Sequence, residues 1–456
     1  MVVLEATYEY LIFFQMIVRK LLPTDWPRLE YYARKIRNLT IQSADYGPVV
    51  DKSFFTALTA YRPIRNPFSS LRQITMDFVH SVAYDSAPYI DFLLGPNISH
   101  VSVTVSPNST PELSHVFLLL PSIARLCPNL QGFDIDSDLP NIFDFKRAIF
   151  QSICGMHNLR TLDFGTLNPP DGMVGRMLHH LGSMTSLETL YNLYIPTEIQ
   201  SLDKLDLIPP FTTVDRWFPK LRHLSLCLQD FDSAALIMDS MQDLPFLSLE
   251  FHLEGQSHSP RKLLQSLGRN PHLPLSLSSI DILDPHVKQS LVRNVSGDET
   301  ASIFQPLLAL TNLQMLRLEC AAVELLDDVW LNRASKRFPQ LQALILHGRA
   351  LERKRITLAG YVPLIQNCPR LSQISLATAC RSFDARKALP AGLCNENVTR
   401  LDCSESSIWS PVGSIFRCLI LMFPKLILLS TPHPVPSEER ESWIELRRLV
   451  CEGQMY

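Results

Sequence analysis

Four stretches of this chain share one spacing of apolar and polar positions. They are Leu221/Leu224/Leu226, Leu313/Leu316/Leu318, Leu341/Leu344/Leu346 and Leu371/Ile374/Leu376, each a Leu-x-x-Leu-x-Leu-like stretch. The last two apolar residues stand two apart, which is strand spacing, so the residues between and after them face the other side. A proline precedes many of these stretches, as in Cys127-Pro128-Asn129-Leu130, Phe218-Pro219-Lys220-Leu221, Phe338-Pro339-Gln340-Leu341, Cys368-Pro369-Arg370-Leu371 and Phe423-Pro424-Lys425-Leu426. Between strands the apolar spacing becomes helical, as over Leu113–Leu126 and Thr357–Gln366. Proline cannot continue a helix and biases the residue before it toward extended backbone, so it marks the passage from helix to strand.

The opening leucine of the motif recurs as an anchor at Leu71, Ile98, Leu130, Leu159, Leu187, Leu221, Leu277, Leu313, Leu341, Leu371, Val398 and Leu426, with a degenerate copy at Leu247. Such a unit cannot bury its apolar face alone and must stack on copies of itself. Most intervals are 26–34 residues, on the long side of the leucine-rich-repeat period. The expected fold is α/β: a leucine-rich-repeat solenoid, or horseshoe, with a parallel concave sheet and outer helices. Leu224, Leu226, Leu316, Leu318, Leu344, Leu346, Ile374 and Leu376 should lie between sheet and helices. The slot three before the anchor holds Phe68, Cys127, Met156, Met184, Phe218, Leu310, Phe338, Cys368 and Phe423. Interchange of Cys with Phe marks a buried apolar slot, so these cysteines act as small hydrophobes rather than as a disulfide framework. That pattern predicts a reduced, intracellular protein, in cytoplasm or nucleus.

Composition narrows the partners. The chain has 456 residues, 46% hydrophobic and 19% charged, with a net charge of −3, so no global basic field points to nucleic acid or anionic lipid. The apolar start at Tyr10–Val18 is too short to span a membrane, and a buried helix over Tyr10–Leu22 is expected instead. Domain bounds follow: residues 1–39 as an N-terminal helical cap, 40–435 as the solenoid and 436–456 as a helical tail, with an amphipathic helix at Ser437–Leu449. Segments 254–262 and 431–436 read as loops. Sequons at Asn38, Asn97, Asn108, Asn294 and Asn397 read as chance, because Asn97 and Asn397 sit where a strand begins and a glycan would block stacking.

The segment Leu21-Leu-Pro-Thr-Asp-Trp26-Pro-Arg-Leu-Glu-Tyr31-Tyr32-Ala33-Arg34-Lys-Ile-Arg37-Asn-Leu39 resembles the junction that opens the repeats in F-box/leucine-rich-repeat proteins of mushroom-forming (basidiomycete) fungi. The Phe/Cys-Pro-x-Leu-x-x-Leu repeats are similar to the same family's. The resemblance spans about residues 20–435. It implies a substrate receptor of an SCF-type ubiquitin ligase, acting in ubiquitin-dependent protein degradation, with the repeats holding a protein substrate. An F-box opens with a Leu-Pro-x-Glu-like start that the residues before Leu21 lack, so the resemblance is to a member whose F-box is truncated or missing, Leu4–Leu22 being its remnant. The SCF adaptor is then expected as a partner only where the full-length product carries an intact F-box. The alternative is a leucine-rich-repeat scaffold with no ubiquitin role.

Candidate chemistry adds little to this. Metalloprotease, Walker, nucleophile-elbow and dinucleotide motifs are absent from the sequence, and no enzyme activity, cofactor or metal is expected. The adjacent His179 and His180 point to different sides of a helix and make a poor metal pair. Trp26, Tyr31 and Tyr32 with Arg28, Arg34 and Arg37 read as an end cap, aromatics inward and arginines in water. The recognition surface is expected on the concave face, where side chains alternate with the buried leucines: Asp134, Asp136, Asp163, Tyr191, His223, Ser225, Asp281, Arg317, Glu319, His347, Gln373 and Asp402. Asp134, Asp136 and Asp163 should form an acidic cluster, because residues 73–170 hold nine Asp/Glu against four Lys/Arg. Tyr191 beside them could anchor an interface. A partner with a basic segment would fit.

Overall fold

The computed structural model describes residues 6–7, 10–11, 24, 26–41, 67–78, 87–105, 113–137, 143–168, 173–195, 218–241, 244–255, 259–284, 302–348, 355–381, 392–403, 406–408, 410–430 and 439–452. They fall into two compact units, Met1–Pro196 with Ser201–Leu221, and Arg222–Tyr456 with Thr197–Gln200. The first holds strands β1 (Ala6–Thr7), β2 (Tyr10–Leu11), β3 (Asn38–Ile41), β4 (Gln73–Phe78), β5 (His100–Val105), β6 (Gly132–Ser137), β7 (Thr161–Asp163) and β8 (Thr189–Ile195). From β2 onward each pairs in parallel with the next in sequence; β1 and β2 alone are antiparallel. The second unit holds β9 (His223–Leu228), β10 (Ser248–Leu253), β11 (Ser279–Leu283), β12 (Met315–Glu319), β13 (Ala343–His347), β14 (Gln373–Leu376), β16 (Arg400–Asp402) and β18 (Leu428–Ser430), again parallel and in order. A two-stranded parallel pair, β15 (Ala379–Cys380) with β17 (Ser407–Ile408), stands apart from that sheet. Helices connect the strands, and successive helices pack together, as Leu113–Leu126 does on Phe143–Ile153 and Phe231–Ser240 on Arg261–Arg269. Each unit is an α/β solenoid of leucine-rich-repeat type.

The repeat reading accounts for the core. All twelve anchors from Leu71 to Leu426 are at 2% exposure or less, and so are the eight alternate strand residues from Leu224 to Leu376. Every residue of the slot three before the anchor is buried too. Its carbonyl accepts the anchor's N–H, as from Leu130 to Cys127 and from Leu341 to Phe338, closing the turn that ends the helix. Burial pushes the Cys127 thiol up to about 11 and the Cys368 thiol up to about 12, as a low-dielectric pocket does to a group that would become charged.

Stacking repeats one backbone device. The carbonyl just after an anchor accepts two N–H groups from the next repeat: Gln131 from Arg160 and Thr161, Ser278 from Gln314 and Met315, Thr399 from Ile427 and Leu428. Asparagine adds a second ladder. In the position before the anchor, Asn97, Asn129, Asn158, Asn312 and Asn397 each donate Nδ2 to a carbonyl of the repeat before, at 2.8–3.2 Å. The amides of Asn97 and Asn397 are therefore engaged in stacking. Asn108 and Asn294 lie outside the described residues.

Several expectations change. The degenerate anchor is Phe246, fully buried, rather than Leu247, because β10 starts two residues after Phe246 as the other strands do after their anchors. One more anchor precedes the series, Ile36, two before β3. Tyr10 and Leu11 form a strand paired to β1 and β3 instead of opening a helix; residues 12–22 lie outside the described residues. Tyr31 and Tyr32, at 57% and 37% exposure, face water, because the helix Trp26–Ala33 turns Ala33 inward and Lys35 donates to the Tyr31 hydroxyl at 2.7 Å. The loop expected over 254–262 ends sooner, since Arg261 and Lys262 begin a helix; segment 431–436 is not among the described residues. The tail helix runs Arg440–Glu452.

Candidate functional site

In each unit the helices cover one face of the sheet. The other face is lined by the residues that alternate with the buried leucines, and parallel pairing aligns them into rows. In the first unit the middle row runs Thr40, Thr75, Ser102, Asp134, Asp163, Tyr191. In the second it runs Ser225, Glu250, Asp281, Arg317, Ile345, Ser375, Asp402. These rows are the candidate interaction surface.

The structure brings Asp134 and Asp163 side by side on β6 and β7, with Tyr191 next to Asp163 on β8 and 39% exposed. Partial burial, and then the charge of Asp163, hold the Asp134 carboxyl above its ordinary range, while nearby His100 pulls it down. Asp136 lies farther along β6 and does a different job. Its Oδ1 accepts from the Thr166 backbone N–H at 3.1 Å and from the Thr166 hydroxyl at 2.9 Å. Asp163 Oδ1 accepts from the Gly165 N–H at 2.9 Å and from Asn192 Nδ2 at 2.8 Å. Gly165 has a φ of +51°, and a side chain there would strike Asp136. Asn192, at φ +54°, makes the strand alternation slip by one residue, the geometry of a bulge, and this aims its amide at Asp163. Two of the three expected carboxylates thus fasten the turn after β7, and Asp134 is the one free of such duty.

The second unit concentrates charge. Arg317 gives Nε and Nη2 to Glu319 Oε1 at 2.8 and 2.7 Å, and its Nη1 stands 3.5 Å from Asp281 Oδ2. His347 Nδ1 lies 3.6 Å from the same Glu319 oxygen, and its Nε2 contacts Ser375 Oγ. Ser375 donates to Asp402 Oδ2 at 2.7 Å. At the other end His252 Nε2 is 2.6 Å from Glu250 Oε1. The consequences for charge are consistent. Hydrogen bonding from His347, then Arg317, brings the Glu319 carboxyl down to about 2, and His252 lowers Glu250 while Glu250 raises His252. Asp281 goes the other way, up to about 6, because burial outweighs the help of Arg317.

Of the sequence-derived candidates, Asp281, Arg317, Glu319, His347 and Asp402 are joined in this network. His223 is on the open face but in a different row, in register with Ser248, and takes no part. Gln373 is exposed and likewise outside it. Glu250 and His252 escaped the sequence reading through the misplaced anchor: once Phe246 is the anchor, both alternate with Leu249, Phe251 and Leu253. Among the described residues no group of three or more His, Cys, Asp or Glu could hold a metal ion, and no helix is long and apolar enough to cross a membrane. His180, half-buried and held below its ordinary pKa by burial and then by His157, packs edge-on against that ring.

No family model matches the sequence, and no curated protein does. Among solved structures the chain is similar to one in the crystal structure of the Rad7 and Elc1 complex in yeast, with a TM-score of 0.44 and 15% identity, covering 89% of this chain and 89% of that chain.

Proposed function

We propose that this chain is a protein-interaction module without chemistry of its own, and that the open face of its sheet receives a protein partner. The observation that carries this reading is the rows themselves: polar and charged side chains repeat at a fixed register over successive strands, on a face not taken up by the helices. In the first unit Asp134, half of an adjacent carboxylate pair, stands exposed with Tyr191 nearby, a combination suited to a partner's basic segment. The test is affinity capture with wild type and Asp134→Lys. Asp163 and Asp136 are left intact because they hold the turn at Gly165. Loss of a captured partner from the variant, together with weaker capture at raised salt, supports the reading; an identical partner set removes Asp134 as a contact.

The finer reading is an intracellular substrate receptor of an SCF-type ubiquitin ligase. It is supported by the junction-like segment Leu21–Leu39 and by the Phe/Cys-Pro-x-Leu repeats. Deleting the gene should then lengthen the half-life of the captured partner in a proteasome-dependent way. An unchanged half-life assigns the chain to the alternative, a scaffold with no ubiquitin role.

A further inference from the structure

The middle row of the second unit contains buried acceptors without donors. Ser225 is 0% exposed, and among the described residues its Oγ has no hydrogen-bond partner. It stands close enough to Glu250 to favour that carboxylate's charged form but short of hydrogen-bond geometry. Asp281 is 8% exposed; among the described residues its buried Oδ1 has no partner and its Oδ2 meets only the Arg317 guanidinium, at 3.5 Å. Ser279 Oγ, on the same strand two residues earlier, is also buried and unpartnered. Folded proteins pair nearly all such atoms, and each exception calls for a specific cause. Three of them on β9 and β11, the strands that flank β10 and its Glu250, describe a place prepared for donors that come from outside.

The surrounding charge says what kind of donor. Glu250 and Asp281 are in register on adjacent strands. Arg317 is committed to Glu319 by two of its nitrogens, so it neutralises Asp281 incompletely. We infer that Ser225, Glu250 and Asp281 form an acceptor site for a cationic side chain, an arginine or lysine of a protein partner laid across the second unit's open face. This deepens the reading of that face as a protein-binding surface and rests on it. A guanidinium or ammonium supplies several N–H donors and a positive charge together, which is what two adjacent carboxylates and a hydroxyl lack.

The site is also acid-sensitive. Asp281 is flanked by Glu250 and His252 on β10 and by Arg317 and Glu319 on β12, with Ser225 and Cys227 beyond β10 and His347 beyond β12. Burial, opposed by Arg317, places the Asp281 carboxyl at about 6, and the hydrogen bond to Glu250 raises His252 above its ordinary value. Falling pH neutralises the first and charges the second. Both changes make the site less negative, so cation capture weakens in acid.

The test uses the full chain as bait for a random-peptide display library, followed by anisotropy measurements on the selected peptides at about pH 7.5 and about pH 5. Selected peptides should share one arginine or lysine position. Replacing it with citrulline or acetyl-lysine should weaken binding by about tenfold or more. Asp281→Asn and Glu250→Gln should each do the same, as should the lower pH, while Lys336→Ala, on the helix Asp328–Arg337 away from the open face, leaves these peptides bound. Thermal unfolding of both variants checks that they are folded; Asp281→Asn should melt no lower than wild type. Selected peptides with no shared basic position, no selected peptides at all, or Asp281→Asn binding like wild type would mean that water alone fills the site, and the inference fails. If peptides bind and respond to Asp134→Lys but not to Asp281→Asn, the inference fails while the open-face reading stands. If neither substitution alters binding, both fail.

Discussion

The two units have the same repeat and the same strand register, yet they treat charge on the open face in opposite ways. In the first, carboxylates on β6 and β7 are satisfied by backbone: Asp136 and Asp163 accept from Thr166 and Gly165, and Asn192 adds an amide. In the second, Ser225 and Asp281 alternate with the longer Glu250 and Arg317, and Ser225, Asp281 and Ser375 are at 8% exposure or less. Side chains there satisfy one another, leaving buried oxygens that the first unit's row does not have. The contrast teaches that an identical backbone row can serve either as a brace for a turn or as a partly filled ionic layer, depending on whether backbone donors or cations lie within reach.

The comparison can be broken at several points. Beneath the open faces the units should be alike: Leu162→Ala and Leu316→Ala, both at 0% exposure, should each cost about 2–5 kcal/mol in urea unfolding. A cost well below that range at either site would mean the stacked core is not shared. Glu319→Gln should cost about 1–2 kcal/mol at neutral pH, because the Arg317 guanidinium loses the charged acceptor of two of its nitrogens. The folded pKa of about 2 lies below the ordinary 4.5. The contribution is therefore fully present above about pH 4.5 and lost as pH falls toward 2, and the wild type and variant should converge over that window.

Asp163→Ala should cost about 1 kcal/mol, since the Gly165 N–H and the Asn192 amide lose their acceptor. Loss of dispersion for the Gly165 amide in the NMR spectrum would report the same event. Asp281→Asn has the opposite sign. With a folded pKa of about 6 against 3.8, the charge opposes folding as pH rises between those values. The variant should be more stable than wild type by up to about 1 kcal/mol above pH 6, with the gain gone below about pH 4. The smallest effect belongs to Asp134→Asn, within about 0.5 kcal/mol. A large loss there would show that Asp134, too, is structural and would erase the difference between it and its two neighbours.

Part of the candidate site was legible in advance and part was not. The alternation in Leu313-Gln-Met-Leu316-Arg-Leu318 tells which side Arg317 takes, and the same holds for Asp134, Asp281 and Glu319. At Phe246-Leu247 two adjacent apolar residues compete for the anchor, and a slip of one residue reverses every side chain of the strand. Glu250 and His252 were lost to that ambiguity. The bracing role of Asp163 was hidden for another reason. It depends on the left-handed backbone of Gly165 and Asn192, and Asn192 lies 29 residues away.

What the sequence determined by itself was the repeat: anchors, the Phe/Cys slot, strand faces and the parallel α/β order. Those are properties of short windows, in which apolar spacing leaves one way to bury the face. The tertiary structure alone decided which polar groups meet. Partners such as Arg317 with Asp281, His347 with Ser375 and Asn97 with Ser69 come from successive repeats. Because the repeat length varies, no fixed spacing along the chain foretells them. Only the register of stacked strands brings such groups within hydrogen-bond reach, and only the same stacking leaves Ser225 and Asp281 with oxygens still bare.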